Sequence, residues 1–193
     1  MNPLFGYSQY RLKRQILALT GIVRIYNPQG EMLLYSRQRM FRLKKDIRVY
    51  RDEEMSQEIL QIRARQVLDF SAAYDVVDSL SGHKVGALRR RGWQSLARDE
   101  WQILSADDTP IGLIQEDTLG RALLRRFLLG AWLPQHYEAT LGTVKVADFR
   151  QRFHLFRYEM EIDFSADPNR QLDRRLGLAA AILFAIIKGK QSS

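Results

Sequence analysis

Residues Leu172–Lys188 read LDRRLGLAAAILFAIIK. From Leu176 to Ile187, 12 residues pass without a charged or polar side chain. Leu176, Leu178, Ile182, Leu183, Phe184, Ile186 and Ile187 point to every side of a helix, so no face is left for water. A helix that is apolar all round belongs in a core or in a bilayer. At about 1.5 Å per residue such a run reaches only about 18 Å, against about 30 Å of bilayer hydrocarbon. Arg174, Arg175 and Lys188 close it at both ends. The expectation is a buried core helix over about 172–188, and a helix buried on all sides needs a wrapper.

The chain has 193 residues, enough to bury a core without staples, and fits one domain. It has no cysteine, which excludes disulfides, thiolate metal sites and a cysteine nucleophile. MNPLFGYSQYRLKRQ lacks the apolar stretch of a signal peptide. A cytoplasmic protein, peripheral to a membrane at most, is expected. The net charge of +8 is unevenly spread: residues 1–51 hold 11 Lys/Arg against Glu31 and Asp46, while residues 52–193 are nearly balanced. That bias favours an anionic partner, against the plainer reading of a solubilising surface.

Working back from the helix, the wrapper reads as strands. Residues 1–15 read as a basic lead-in, with Arg11, Lys13 and Arg14 placed just before the first strand. From Ile16 the period is two, with Val23 and Ile25 on one face and Arg24 and Tyr26 on the other. Asn27-Pro28-Gln29-Gly30 reads as a tight turn into Met32–Ser36. Residues 39–50 interleave Arg42, Lys44 and Arg48 with Phe41, Leu43, Ile47 and Val49. Glu58–Ala64 fits a strand or a helix, and its neighbours favour a strand. Phe156, Tyr158, Met160, Ile162 and Phe164 alternate with Arg157, Glu159, Glu161 and Asp163, the pattern of a half-buried strand with a wet outer face. Only Thr118–Trp132 departs from this rhythm, as an amphipathic helix ended by Pro134. About a dozen short strands and one helix without a polar face suggest a closed antiparallel β-barrel, residues 16–188, wrapped around that helix.

YDVVDSLSGHKVGALRRRG (Tyr74–Gly92), DEWQILSADDTPIGLIQED (Asp99–Asp117) and DRRLGLAAAILFAI (Asp173–Ile186) resemble the LURP-one-related family. That family shares its fold with tubby C-terminal domains and phospholipid scramblases. The resemblance implies a twelve-stranded tubby-like barrel around a buried C-terminal helix. It implies less about activity, and no phosphoinositide signature carries over residue by residue.

Catalytic chemistry has little support in the sequence. His83, His136 and His154 sit at turns or strand ends, without a partnered nucleophile. No metal-ligand spacing and no Gly-rich phosphate loop is present, and no cofactor is implied. The anionic-ligand candidates are Arg11, Lys13, Arg14, Arg42, Lys44 and Arg48, joined by Arg89, Arg90 and Arg91. Arg121, Arg125, Leu129 and Trp132 mix basic and apolar groups as interfacial helices do. The leading expectation is a non-enzymatic binding or scaffold protein docking an anionic phospholipid or phosphoinositide surface. A soluble protein–protein interaction module is the alternative. Nucleic-acid binding ranks last: Tyr35, Phe41 and Tyr50 interleave with basic residues, but no reader motif appears.

Overall fold

The computed structural model describes residues 2–15, 20–39, 46–65, 73–91, 100–116, 135–152 and 157–188. The strands are β1 (Gln9–Gln15), β2 (Thr20–Tyr26), β3 (Met32–Arg39), β4 (Asp46–Tyr50), β5 (Glu58–Ala64), β6 (Ala73–Asp78), β7 (Lys84–Arg91), β8 (Glu100–Leu104), β9 (Pro110–Glu116), β10 (His136–Leu141), β11 (Val144–Arg152) and β12 (Arg157–Asp163). One helix, α1 (Arg174–Lys188), follows. Each strand pairs with the next in sequence, and β1 pairs with β12, so the sheet closes without an edge. The 118–132 helix expected from the sequence lies outside the described residues.

Period two builds the wall. In β12, Tyr158, Met160 and Ile162 turn inward and are buried. In β1 the inward set is Tyr10, Leu12 and Arg14, which alternates with exposed Gln9, Arg11 and Gln15. The expected lead-in is therefore a barrel strand from Gln9 onward, hydrogen-bonded on one side to β12 and on the other to β2. Its charges hid the alternation, because Arg14 is an inner residue. Glu58–Ala64 is a strand, β5.

The hairpins follow their turn chemistry. Gly30, Gly82 and Gly142 stand at positive φ in the β2–β3, β6–β7 and β10–β11 turns, where a side chain would be strained. Asn27 Oδ1 accepts from Glu31 N at 2.8 Å, and Asp78 Oδ1 accepts from Leu80 N at 2.9 Å.

α1 fills the barrel. Leu176, Leu178–Ala181, Ile182, Leu183, Phe184 and Ala185 are all buried, while Ile186 and Ile187 are half-buried at the far end. Phe184 stacks on Tyr137 with ring centroids 4.5 Å apart and meets Trp101 and Phe149 edge-on at 5.7 Å. Near the entry, a Cβ on Gly177 would come within 2.5 Å of the Phe164 ring, so a glycine lets helix and wall touch. Among the described residues no helix is long and apolar enough to cross a membrane.

The start of α1 is held by charge. Asp173 caps it, its Oδ1 accepting from Arg175 N at 2.9 Å. Arg174 was expected only to close the apolar run. It is instead buried, donating to Asp167 Oδ2 at 2.8 Å and to Asp167 O at 2.7 Å, with its guanidinium 4.5 Å from the Phe164 ring centroid. Asp167 also accepts from the backbone of Gln171 and Leu172. Arg175 donates to Asp78 at 2.6 Å and so ties the helix to the end of β6. Burial works against the ionised form of Asp167 and of Asp78. Hydrogen bonds from the backbone and from Arg174 or Arg175 outweigh it and hold both carboxyls below their ordinary values.

Leu183→Asp places an unpaired charge in the filled lumen and is expected to leave no folded protein by circular dichroism. Gly177→Ala is expected to cost about 1–3 kcal/mol in urea unfolding, through the clash with Phe164. A folded Leu183→Asp protein would contradict the enclosed helix.

The depressed carboxyls give stability that is fully present above their unfolded value of about 3.9 and fades as pH falls through their lower folded values. The urea midpoint should therefore be flat from neutral pH to about pH 5 and drop below about pH 4. Asp167→Asn should lower the neutral-pH midpoint and make the acid drop shallower.

Candidate functional site

The two mouths of the barrel differ in charge. Odd-numbered strands end, and even-numbered strands begin, at the mouth where α1 also ends. The last two residues of each strand at that mouth include Arg14, Arg39, Arg63, Arg90, Arg91, Arg152 and Arg157, against Asp46, Glu100 and Glu116. At the opposite mouth the same positions hold Lys84 and Lys145 against Glu58, Asp78 and Asp163. The hairpin turns there add Glu31, Asp52, Glu53, Glu54, Asp107 and Asp108 against Arg51. The barrel thus has a basic mouth and an acidic one.

At the basic mouth the arginines divide into inner and outer groups. Arg14 is buried, and its Nη1 donates to the carbonyl of Ala185 at 2.8 Å. Ala185 lies in the last turn of α1, whose carbonyls have no partner within the helix and form the negative end of its dipole. Burial pulls the Arg14 guanidinium below its ordinary value and pushes the hydroxyl of its cross-strand neighbour Tyr158 up. Arg90, on the far wall, lies over the Trp101 ring at 5.9 Å. Two inner arginines therefore stand where the helix presents negative partial charge.

The outer group faces water. Arg63, Arg152 and Arg157 are exposed; Arg152 donates to Glu161 at 2.6 Å, and Arg157 reaches Glu159 only at 3.9 Å. Arg91 pairs with Glu100 at 2.7 Å. Exposed pairs of this kind add little stability. The residues joining strands at this mouth, 16–19, 40–45, 66–72, 92–99, 117–134 and 153–156, lie outside the described set. Their sequences carry Arg42, Lys44, Lys45, Arg98, Arg121, Arg125 and Arg126 against Asp69, Asp99 and Asp117.

The patch expected from the sequence is divided by this geometry. Arg11 and Lys13 are on the outer face of β1, Lys13 lying 5.1 Å from the Tyr26 ring centroid. Arg14 points inward and cannot belong to a surface patch. Arg48 is on the outside of β4, donating to Glu58 at 3.0 Å. Arg89, Arg90 and Arg91 are on β7, on the opposite wall from β1, and alternate outer, inner, outer. They do not join the β1–β4 residues into one face. Arg42, Lys44, Arg121, Arg125, Leu129 and Trp132 lie outside the described residues. Glu159, expected on a wet face, is buried between neighbouring strands, with Arg11 at 3.6 Å. Sequence reading missed Arg63, Arg152 and Arg157, which are scattered along the chain and meet only when the strands close.

A sequence profile described as LURP-one-related matches residues 32–185. The chain belongs to the LURP-one-related family. The match begins at β3 and ends in the last turn of α1, so β1 and β2, which complete the closed LURP-one-related barrel here, precede it. Comparison with curated proteins gives no match. Among the described residues no group of three or more His, Asp or Glu is placed to hold a metal ion.

The inward reading of Arg14 has a direct check. Arg14→Met removes a buried charge-assisted hydrogen bond and is expected to cost about 1.5–3 kcal/mol by urea unfolding. Lys13→Met, one residue away on the outside, should stay within about 0.5 kcal/mol. Equal costs for the two variants would contradict the in–out assignment.

Proposed function

We propose that this LURP-one-related protein is a non-enzymatic binding domain whose basic mouth docks an anionic phospholipid surface. The observation behind the reading is the one-sided placement of Arg63, Arg90, Arg91, Arg152 and Arg157 around a barrel whose other end is acidic. A bipolar charge distribution orients the molecule before contact, basic end first. Each basic group near an anionic membrane contributes about 1 kcal/mol. The sequences attached at this mouth mix cations with large apolar residues, as in MFRLKK (40–45) and RRFLLGAW (125–132), a combination that suits the headgroup–acyl boundary.

A soluble protein-interaction module is the second reading. It rests on the exposed Met55, Leu80, Ile111 and Val144, which sit at four successive hairpins of the acidic mouth.

Co-sedimentation with phosphatidylcholine vesicles containing phosphatidylserine separates the two. Arg63→Gln/Arg152→Gln/Arg157→Gln removes three rim charges and should weaken binding on the order of 100-fold. Lys84→Gln/Lys145→Gln, at the other mouth, should leave it within about twofold. Wild-type protein that ignores anionic vesicles at physiological salt would overturn the membrane reading in favour of the second.

A further inference from the structure

A surface trough of about 360 Å³ lies on the outer wall, over β1, β12 and β11, with the Asn27-Pro28 turn on one side. It lies outside the ring of strand ends, linked to the basic mouth by the 2.6 Å pair of Arg152 with Glu161, and the reading above does not depend on it. The register puts Arg11, Glu161 and Arg150 side by side on β1, β12 and β11, and the next outer row holds Gln9, Asp163 and Asp148. Positive and negative groups therefore alternate along the first row, and the second row is acidic.

What these groups lack defines the ligand. Arg11 reaches Glu159 at 3.6 Å and Arg150 reaches Asp148 at 3.7 Å, both beyond hydrogen-bond length, and both side chains are more than half exposed. Two guanidinium forks thus line the trough with donors to spare, about two strand spacings or 10 Å apart at Cα. The carboxylates are better supplied. Asp148 accepts from Lys145 at 2.9 Å and His136 at 2.8 Å, and Asp163 from Ser165 N at 2.8 Å and Gln9 at 3.2 Å. Burial opposes their ionised forms, but these hydrogen bonds hold both carboxyls below their ordinary values, so they are charged at neutral pH. A carboxylate offers about four lone-pair sites, so each can still accept from a cation. The three carboxylates nearly cancel the two guanidinium groups, which disfavours a simple polyanion or polycation.

We infer that this trough binds a small zwitterion, its oxyanion held by Arg11 and Arg150 and its ammonium by Glu161 and Asp163. A phosphoethanolamine group meets this description, either as a free molecule or as a lipid headgroup.

The test is calorimetric titration of the full chain with O-phosphoethanolamine, with inorganic phosphate alone and with ethanolamine alone. The zwitterion should bind at least tenfold more tightly than either half. Arg150→Gln and Glu161→Gln, both on the surface, should each lose at least tenfold while keeping the wild-type melting temperature. Phosphate binding as tightly as the zwitterion, no heat from the zwitterion at millimolar concentration, or indifference of both variants would each overturn the site. If the zwitterion binds as expected, phosphatidylcholine vesicles with and without phosphatidylethanolamine, which carry no net charge, tell a headgroup source from a free one.

Discussion

A helix with no polar face has to be enclosed, and the rest of the molecule follows from that requirement. An open sheet would leave part of α1 in water, so twelve strands close into a ring with β1 against β12. The ring needs small contacts where it touches the helix. Gly177 lets the Phe164 ring in, and a Cβ on Gly86 would clash with the Leu104 carbonyl and press tightly on Leu176. Among the described residues, charged groups enter the interior at the two ends of α1, where the helix itself supplies partners. At its start the buried Arg174 meets the Asp167 carboxylate, and at its finish Arg14 meets the Ala185 carbonyl. A buried charge is tolerable when it is paired and hydrogen-bonded.

The direction of α1 is also reflected in the two ends of the molecule. Its N-terminal end lies among tight hairpins rich in acids, and its C-terminal end lies where arginines from β1, β5, β7, β11 and β12 gather. The negative end of the helix dipole thus faces the basic mouth, where Arg14 satisfies one of its carbonyls from inside. The outer arginines at that mouth, Arg63, Arg91, Arg152 and Arg157, face water. Sequence position hides this arrangement, because a meander distributes one mouth over the whole chain. The excess charge of residues 1–51 does not map to a single face: Arg11 is on the outer wall, Arg14 inside, and Arg24 is bound to Glu53.

The fold was legible where physical constraints are strong. The apolar run of α1, the alternation in β12 and the Asn27–Gly30 turn each admit few conformations, and all three stand as read, save that Glu159 on the outer face of β12 is buried. The LURP-one-related resemblance pointed the same way. Reading was weaker where charge and period compete. Arg14 and Arg90 lie next to basic neighbours, and each cluster looks like a surface when only charge is weighed. Period two forbids Lys13 and Arg14, or Arg89 and Arg90, from sharing a face, and that rule alone would have divided the patch. The rim of Arg63, Arg152 and Arg157 was beyond sequence reading, since it depends on which strand ends come together on closure.

The central claim is that the barrel meets an anionic surface with its helix-C-terminal mouth. The chain has no cysteine, so single cysteines can carry an environment-sensitive fluorophore without background. One label at Gln15, beside the basic rim, and one at Ser81, on an acidic-mouth hairpin, report the two ends. With phosphatidylserine-containing vesicles, the account predicts a blue shift and loss of aqueous quenching at Gln15 and none at Ser81. Shielding at Ser81 instead, or equal exposure of both labels on bound protein, would contradict it.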